Sequence, residues 1–300
     1  MQKLFLLFIS LLAQFFGFQN NATAQASKTE SKQANPNSLL WKISGKDLTK
    51  PSYILGTMHA ICAEDYFFNE EMERAFSGIE SLVLEVDLSD PNMAAQVQEQ
   101  LVLPKDKKFS DYFNSEDEFL AFSAQLQRVK EIDIEQYKQF KPFILISALA
   151  MKEFTCPATV SYEMNLMQMA QTRGIPVLGL ETMQSQFELF EKMKDADIRA
   201  LLLDAVYPGP ETNERNLQMI ENYKTQNIDG IYEAMRESAE LKNHEKELLT
   251  DRNVAWVKKL PSMMKASQCF IALGAAHLPG ANGVLQLLRK GGYKVEAVTK

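Results

Sequence analysis

Short, almost uninterrupted apolar segments are the feature that most limits what this chain can fold into. Ser81 to Asp87 reads Ser-Leu-Val-Leu-Glu-Val-Asp, and Cys269 to Leu273 is a second apolar segment. A strand with one face in water alternates apolar and polar residues, whereas a strand covered on both faces does not. Ser52 to Gly56, a helix from about Asn69 to Gly78 and the strand at Ser81 form a βαβ unit, which implies a parallel pair. The pattern predicts an α/β fold with a central, mostly parallel sheet.

Long helical stretches separate these strands. Asp90 and Pro91 open a helix by the cap-then-proline pattern, and helical sequence runs from there to about Thr172. A second helical stretch covers about 183–260. Leu39 to Ser44 precedes a turn and predicts a hairpin with the strand at 52–56, while Lys294 to Val298 reads as a last strand. Since no internal segment has the composition of a linker, residues 39–300 are predicted to form a single domain with large helical insertions.

The first 38 residues are predicted to lie outside the fold. Lys3 is followed by a nearly continuous apolar run from Leu4 to Phe18 and by small residues up to Ala26. This pattern predicts a signal peptide that covers residues 1–26. The alternative is a membrane anchor, but the apolar run is short for a membrane span. Residues 27–38 are polar and read as a disordered spacer. We therefore expect a periplasmic or secreted protein with no stable membrane span after cleavage.

The charge of the chain disfavours anionic partners. Its formal net charge is -7 at a sequence pI of about 5.2. An acidic surface repels phosphate backbones and anionic lipid headgroups. We therefore expect no binding of nucleic acid.

Export would place the three cysteines in an oxidising compartment. Cys269 lies inside an apolar strand and is expected to be a buried free thiol. Cys62 and Cys156 flank loop-like sequence and are the plausible disulfide, although sequence alone does not fix the pairing.

Four strand-like segments end in a residue able to bind a metal or move protons: His59, Glu85, Glu181 and His277. Both histidines follow a glycine by three positions, in Gly-Thr-Met-His and Gly-Ala-Ala-His. Sites in open parallel sheets form at the carboxyl ends of the strands, so neighbouring strands would bring the four side chains together.

A divalent metal ion would compensate the cost of burying these groups, and Zn, Mn, Fe or Co would each suit two imidazoles with one or two carboxylates. A carboxylate outside the ligand set could act as general base. Arg252 could hold a carboxylate or an oxyanion. Each residue alone also has an ordinary structural interpretation, as a satisfied strand-end histidine, a loop acid or a solvated arginine.

At these residues the sequence resembles the TraB/GumN family, which includes the animal TIKI proteins. The resemblance follows the chain in order through 40–43, 53–59, 82–85, 161–182, 252–256 and 274–280, ending at Gly292 and Tyr293. It implies an α/β core shared with erythromycin esterases and haem-binding ChaN-like proteins. It also implies a proposed metal site at His59, Glu85 and His277, with Glu181 and Arg252 as lesser candidates.

Two functional hypotheses follow. The first is an exported metal-dependent hydrolase, expected to be a peptidase, in which His59, His277 and Glu85 hold the ion. Glu181 is then a fourth ligand or the base, and Arg252 stabilises developing charge. The alternative is a non-catalytic protein of the same fold that binds haem or another ligand. Neither hypothesis specifies the peptide or small-molecule substrate.

Overall fold

One six-stranded sheet runs through the molecule. The computed structural model describes residues 35–89, 97–98 and 100–299. The strands are β1 (Leu40–Ser44), β2 (Ser52–Thr57), β3 (Ile61–Cys62), β4 (Ser81–Val86), β5 (Thr159–Val160), β6 (Val177–Glu181), β7 (Cys269–Gly274) and β8 (Lys294–Ala297). The order in the sheet is β6-β4-β7-β2-β1-β8, and β3 pairs with β5 apart from it. The four strands from β6 to β2 are parallel, and β1 and β8 are antiparallel additions. The predicted α/β fold with a mostly parallel sheet is confirmed.

The helices lie mainly between strands that are far apart in sequence. They are α1 (Glu70–Ser77), α2 (Glu116–Lys130), α3 (Pro142–Lys152), α4 (Tyr162–Thr172), α5 (Met183–Glu191), α6 (Asp195–Val206), α7 (Pro210–Lys224), α8 (Ile228–Arg236), α9 (Ala239–Glu245), α10 (Asp251–Ala266) and α11 (Val284–Lys290). Short 3-10 turns occur at Phe109–Tyr112, Ile134–Gln136 and Ala275–His277, and a π-helical segment, Lys246–Thr250, leads into α10. The predicted large helical insertions are thus present. None of the described helices is long and apolar enough to cross a membrane.

The connectivity of the sheet differs from the sequence prediction in one respect. The hairpin of β1 and β2 is confirmed, with Leu40 opposite Leu55. Strands β2 and β4 are parallel, as predicted, but they are not neighbours because β7 lies between them. Every residue of β7 is buried, so this strand gains most from a central position. A local βαβ pattern gives the direction of two strands but carries no information on a distant strand that inserts between them.

The central strands are held by apolar packing from helices. Strand β4 is buried along its whole length. Helix α1 begins at the cap Asn69, whose side chain accepts from the amide of Met72, and it buries Met72 and Phe76. The ring of Phe76 packs edge-on against Phe270 of β7, with centroids 5.2 Å apart. Helix α1 thus covers the amino end of β7 with apolar side chains.

The insertion between β4 and β6 has a core of its own. Phe109, Phe122, Leu126, Leu145 and Leu202 are buried together there, with Leu202 contributed by α6 from the second insertion. The two insertions therefore pack on each other as well as on the sheet.

A cysteine pair lies beside the small β3–β5 sheet. The Sγ atoms of Cys62 and Cys156 are within bonding distance and their Cα atoms are 5.9 Å apart, while Cys269 is buried and free. The predicted signal peptide, most of the predicted spacer and the predicted helix opening at Asp90 lie outside the described residues.

Candidate active site

Three predicted site residues surround the end of β7. A Cβ atom on Gly274 would lie 3.4 Å from Glu85 Oε1, 3.5 Å from His277 Cδ2 and 3.8 Å from His59 Nε2. His59 follows β2, Glu85 is in β4 and His277 follows β7, and these strands are adjacent and parallel. All three side chains are buried. Glycine at 274 leaves the space between them open.

His59 is held by a buried carboxylate. Its Nδ1 lies 2.9 Å from Glu163 Oε1, a close charged contact rather than a well-aligned hydrogen bond. Glu163 also accepts hydrogen bonds from the hydroxyls of Thr57 (2.5 Å) and Ser161 (3.0 Å). Burial opposes the charged imidazolium, but the charge of Glu163 outweighs it and raises the pKa of His59 to about 9. Within the described part of the chain His59 Nε2 has no hydrogen-bond partner.

His277 is held by an amide. Its Nδ1 lies 2.6 Å from Asn253 Oδ1, and the amide nitrogen of Asn253 donates to the carbonyl of Asn282 (3.0 Å). The amide is thereby oriented so that His277 Nδ1 carries the proton and Nε2 the lone pair. Burial and the neighbouring guanidinium of Arg252 lower the pKa of His277 to about 3. His277 is therefore neutral, with Nε2 as an acceptor 3.1 Å from Arg252 Nη1.

Arg252 links the two glutamates. Its Nη2 lies 2.5 Å from Glu85 Oε2 and 2.6 Å from Glu181 Oε1, and all three side chains are largely buried. Glu181 also accepts from the amide of Gln186 (2.7 Å) and from the indole of Trp256 (3.2 Å). Both oxygens of Glu181 are thus engaged by neighbours on the protein, and the guanidinium is fixed between two carboxylates.

Glu85 is an ionised acceptor. Its Oε1 accepts from the backbone amide of Gly274 at 2.9 Å, and its Oε2 from Arg252. Burial disfavours its charge, but Arg252 and the histidines outweigh burial and lower the pKa of Glu85 to about 2. A carboxylate with such a low pKa is a weak base, so its chemistry is that of a ligand or counter-charge.

The donor types around Gly274 fit a divalent metal ion. The ring Nδ1 of each histidine is held by an acceptor from a neighbouring element, so Nε2 would be the ligand atom, a common arrangement in metal sites. At neutral pH His59 would have to release its second proton to bind an ion, because its pKa is about 9 in the metal-free protein. His59 Nε2 is buried without a partner among the described residues. The side chains are not drawn together, however, since no three ligand atoms of this described cluster lie within 4.8 Å of one another. Arg252 contacts the lone pair of His277 and one oxygen of Glu85, so an ion would have to displace it from them.

Sequence reasoning did not assign roles to three residues of this cluster: Glu163, Gln186 and Asn253. Glu163 is in the first turn of α4 and Gln186 in α5, so neither has the strand-end position that singled out the others. Glu163 and Asn253 both lie in segments that carry the family resemblance, 161–182 and 252–256, which was the available signal.

A cavity adjoins the cluster on its helical side. His59, Arg252 and His277 form part of its wall, and the rest is mostly apolar and comes from the second insertion. Its volume is about 70 Å³, room for a few water molecules or a small apolar group.

Comparison with known proteins agrees with the resemblance noted in the sequence. The family model described as TraB/PrgY/gumN family matches residues 39–297. Among curated relatives, "Metalloprotease TIKI2" of Danio rerio is 23% identical over 92% of this chain and 64% of its own length. "Metalloprotease TIKI1" of Danio rerio is 24% identical over 92% of this chain and 66% of its own length.

A third relative, "Metalloprotease TIKI2" of Xenopus tropicalis, is 23% identical over 88% of this chain and 60% of its own length. The chain thus spans less than two thirds of the length of these relatives. No solved structure matches significantly, so the ChaN-like detail of the core stays a prediction. Since the family model covers most of the sequence, the chain belongs to the TraB/PrgY/gumN family.

Proposed function

We propose that this protein is an exported metal-dependent hydrolase whose substrates are peptides. The observation that carries the proposal is the meeting of His59, Glu85 and His277 around Gly274 at the ends of three parallel strands. The names of the relatives, which call them metalloproteases, support the reaction class. Export rests on the predicted signal peptide at 1–26.

The residues have distinct roles in this proposal. His59 and His277, through Nε2, and Glu85 would hold the ion, which would supply Lewis-acid polarisation of a substrate carbonyl. Glu163 and Asn253 orient the two imidazoles through Nδ1. Arg252 provides positive charge for an oxyanion. Glu181 positions Arg252, because both its oxygens already contact protein donors, and it would become a fourth ligand or base only by exchanging those contacts.

The test is metal content followed by metal-dependent cleavage. Purified protein is analysed for bound metals, and the metal-free form is reloaded with Zn, Mn, Fe or Co before incubation with an unbiased peptide mixture read by mass spectrometry. We expect about one ion per chain and cleavage that requires it, with both lost in His59→Ala and His277→Ala.

His244→Ala is the matched control, because the third histidine lies outside the cluster, 3.5 Å from Asp197. Retention of the ion and of cleavage in both site variants would contradict the proposed site. Absence of any bound metal, together with metal-independent behaviour, would contradict the function.

The second hypothesis, haem binding without turnover, is favoured by one observation. His59, whose Nε2 has no hydrogen-bond partner among the described residues, lies in the cavity wall, where methionines are also present. The small volume of the cavity counts against a porphyrin. A Soret band on adding haemin that disappears in His59→Ala would favour this hypothesis, and no spectral change would exclude it.

A further inference from the structure

The cavity beside the histidines has an unusual wall. Met58, Met193, Met219 and Met235 all line it and all are buried. They come from four separate segments: the turn after β2, the segment between α5 and α6, and helices α7 and α8. Phe190, Ile231 and three leucines add further apolar side chains to the wall. Methionine is flexible and polarisable, so a wall of this kind adapts to apolar groups of different shape.

The polar atoms of the cavity are concentrated at one end. His59, Arg252 and His277 line that end and belong to the cluster around Gly274. Tyr223 also belongs to the wall, but its hydroxyl donates to the carbonyl of Gly56 (3.1 Å). A bound molecule with one end at the cluster would therefore place its other end among apolar side chains.

We infer that this cavity is the specificity pocket of the proposed peptidase and takes one uncharged aliphatic side chain, such as that of leucine or methionine, from the residue next to the cleaved bond. The cleavage reaction in this inference rests on the proposed function, and the preference for apolar side chains rests on the residues that line the cavity. A charged or amide side chain would lose its water there and find few partners. Removing or adding one methylene in such a pocket typically changes kcat/KM roughly tenfold or more.

Cleavage specificity is the first readout. Peptides cleaved by the metal-loaded protein are sequenced by mass spectrometry, and kcat/KM is compared for peptides that differ only in the residue beside the cleaved bond. We expect leucine or methionine at that position to give a kcat/KM that exceeds the value for aspartate or lysine by about 100-fold or more. Cleavage with no such preference would overturn the inference.

Ile231 allows the pocket to be changed in both directions. It is a buried residue of α8 on the wall of the cavity. Ile231→Ala widens the cavity and should favour phenylalanine over leucine, whereas Ile231→Phe narrows it and should favour alanine or valine, each by roughly tenfold. Leu202→Ala is the control, because Leu202 is equally buried but belongs to the separate core of the insertions. A general loss of stability would affect all three variants but would leave the preference unchanged.

Binding without turnover separates this inference from the reaction. The chain contains 14 methionines, whose methyl groups can be labelled with carbon-13 and assigned by single Met→Leu substitutions. N-acetyl-leucinamide should shift the methyl resonances of the four cavity methionines, and N-acetyl-asparaginamide should not. Selective shifts without cleavage of any peptide would uphold the pocket and reject the peptidase. Absence of shifts at these four, or equal shifts with both compounds, would reject the pocket.

Discussion

Replacing Arg252 by methionine isolates the energetic role of the cation in the cluster. The substitution keeps an apolar stem of similar length but removes the charge that lies 2.5 Å from Glu85 and 2.6 Å from Glu181. Both carboxylates are largely buried, so little water can take the place of the guanidinium. Removing one partner of a buried ion pair costs about 3–5 kcal/mol, because the remaining charge is left uncompensated. We expect a loss of this size in the free energy of unfolding at pH 7.

The pKa of Glu85 determines how the stability loss in Arg252→Met changes with pH. In the native protein the pKa of Glu85 is lowered from its ordinary value of 4.5 to about 2, so its contribution to stability is complete above pH 4.5 and is lost toward pH 2. Without Arg252, burial raises the pKa of a carboxyl above 4.5, and the folded variant takes up a proton that the native protein does not. The difference in stability should therefore shrink as the pH falls from 7 to 5, by about 1.4 kcal/mol per pH unit for each proton.

Urea unfolding followed by circular dichroism at pH 7 and pH 5 measures both quantities. Lys258→Met is the control, because it removes the same charge from an exposed position of α10 and should change stability by no more than about 0.5 kcal/mol. A loss below about 1 kcal/mol for Arg252→Met at pH 7 would show that the buried glutamates do not depend on Arg252. A loss of equal size at both pH values would refute the proton uptake by the folded variant.

Three further predictions concern other parts of the fold. A Cys62–Cys156 bond would close a loop between residues 94 positions apart. Cys156→Ala should therefore lower the free energy of unfolding in urea by roughly 4–5 kcal/mol at most. A non-reduced digest in which both thiols are free would contradict the bond. The pKa of His59 is about 9 in the folded protein against 6.5 ordinarily, so the stabilisation that His59 gives the metal-free fold is complete below pH 6.5 and is lost as the pH rises through 9. NMR titration of the imidazole should show this high pKa, and the pKa should fall in Glu163→Gln. Gly179→Ala would place a Cβ atom 2.6 Å from a backbone nitrogen, which should cost about 1–3 kcal/mol in thermal unfolding, and an unchanged Tm would refute that contact.

The sequence predicted best those strands whose residue types are dictated by burial. Apolar runs such as Leu82 to Leu84 and Phe270 to Leu273 identified the fully covered strands. Glu85 directly after the first run and His277 four positions after the second marked the carboxyl ends where side chains meet. Strand order was not accessible, because the pairing of β7 with both β2 and β4 is a contact between distant segments that no local pattern encodes. The predicted βαβ neighbours were separated for that reason.

The candidate site was predicted in part for a related reason. Four residues stood out by their position at the ends of strands: His59, Glu85, Glu181 and His277. The structure places all four at the carboxyl ends of neighbouring parallel strands. Glu163 reaches His59 from a helix more than 100 residues later, where an acid in the first turn is ordinary for a helix. The spacing of residues does not reveal how α10 packs against the sheet. The contacts of Arg252 with both glutamates and His277 were therefore not predictable.

The central place of β7 also bears on how the protein is made. Glu85 receives its hydrogen bond from the amide of Gly274, 189 positions further along the chain, and Ser52 contacts the amide of Cys269 across 217 positions. Strands β2 and β4 therefore each keep one unpaired edge until residues 269–274 are available, a topology expected to fold slowly and to need protection from aggregation. The same delay keeps His59 and Glu85 apart from His277 during synthesis, so a partly made chain cannot assemble the cluster around Gly274.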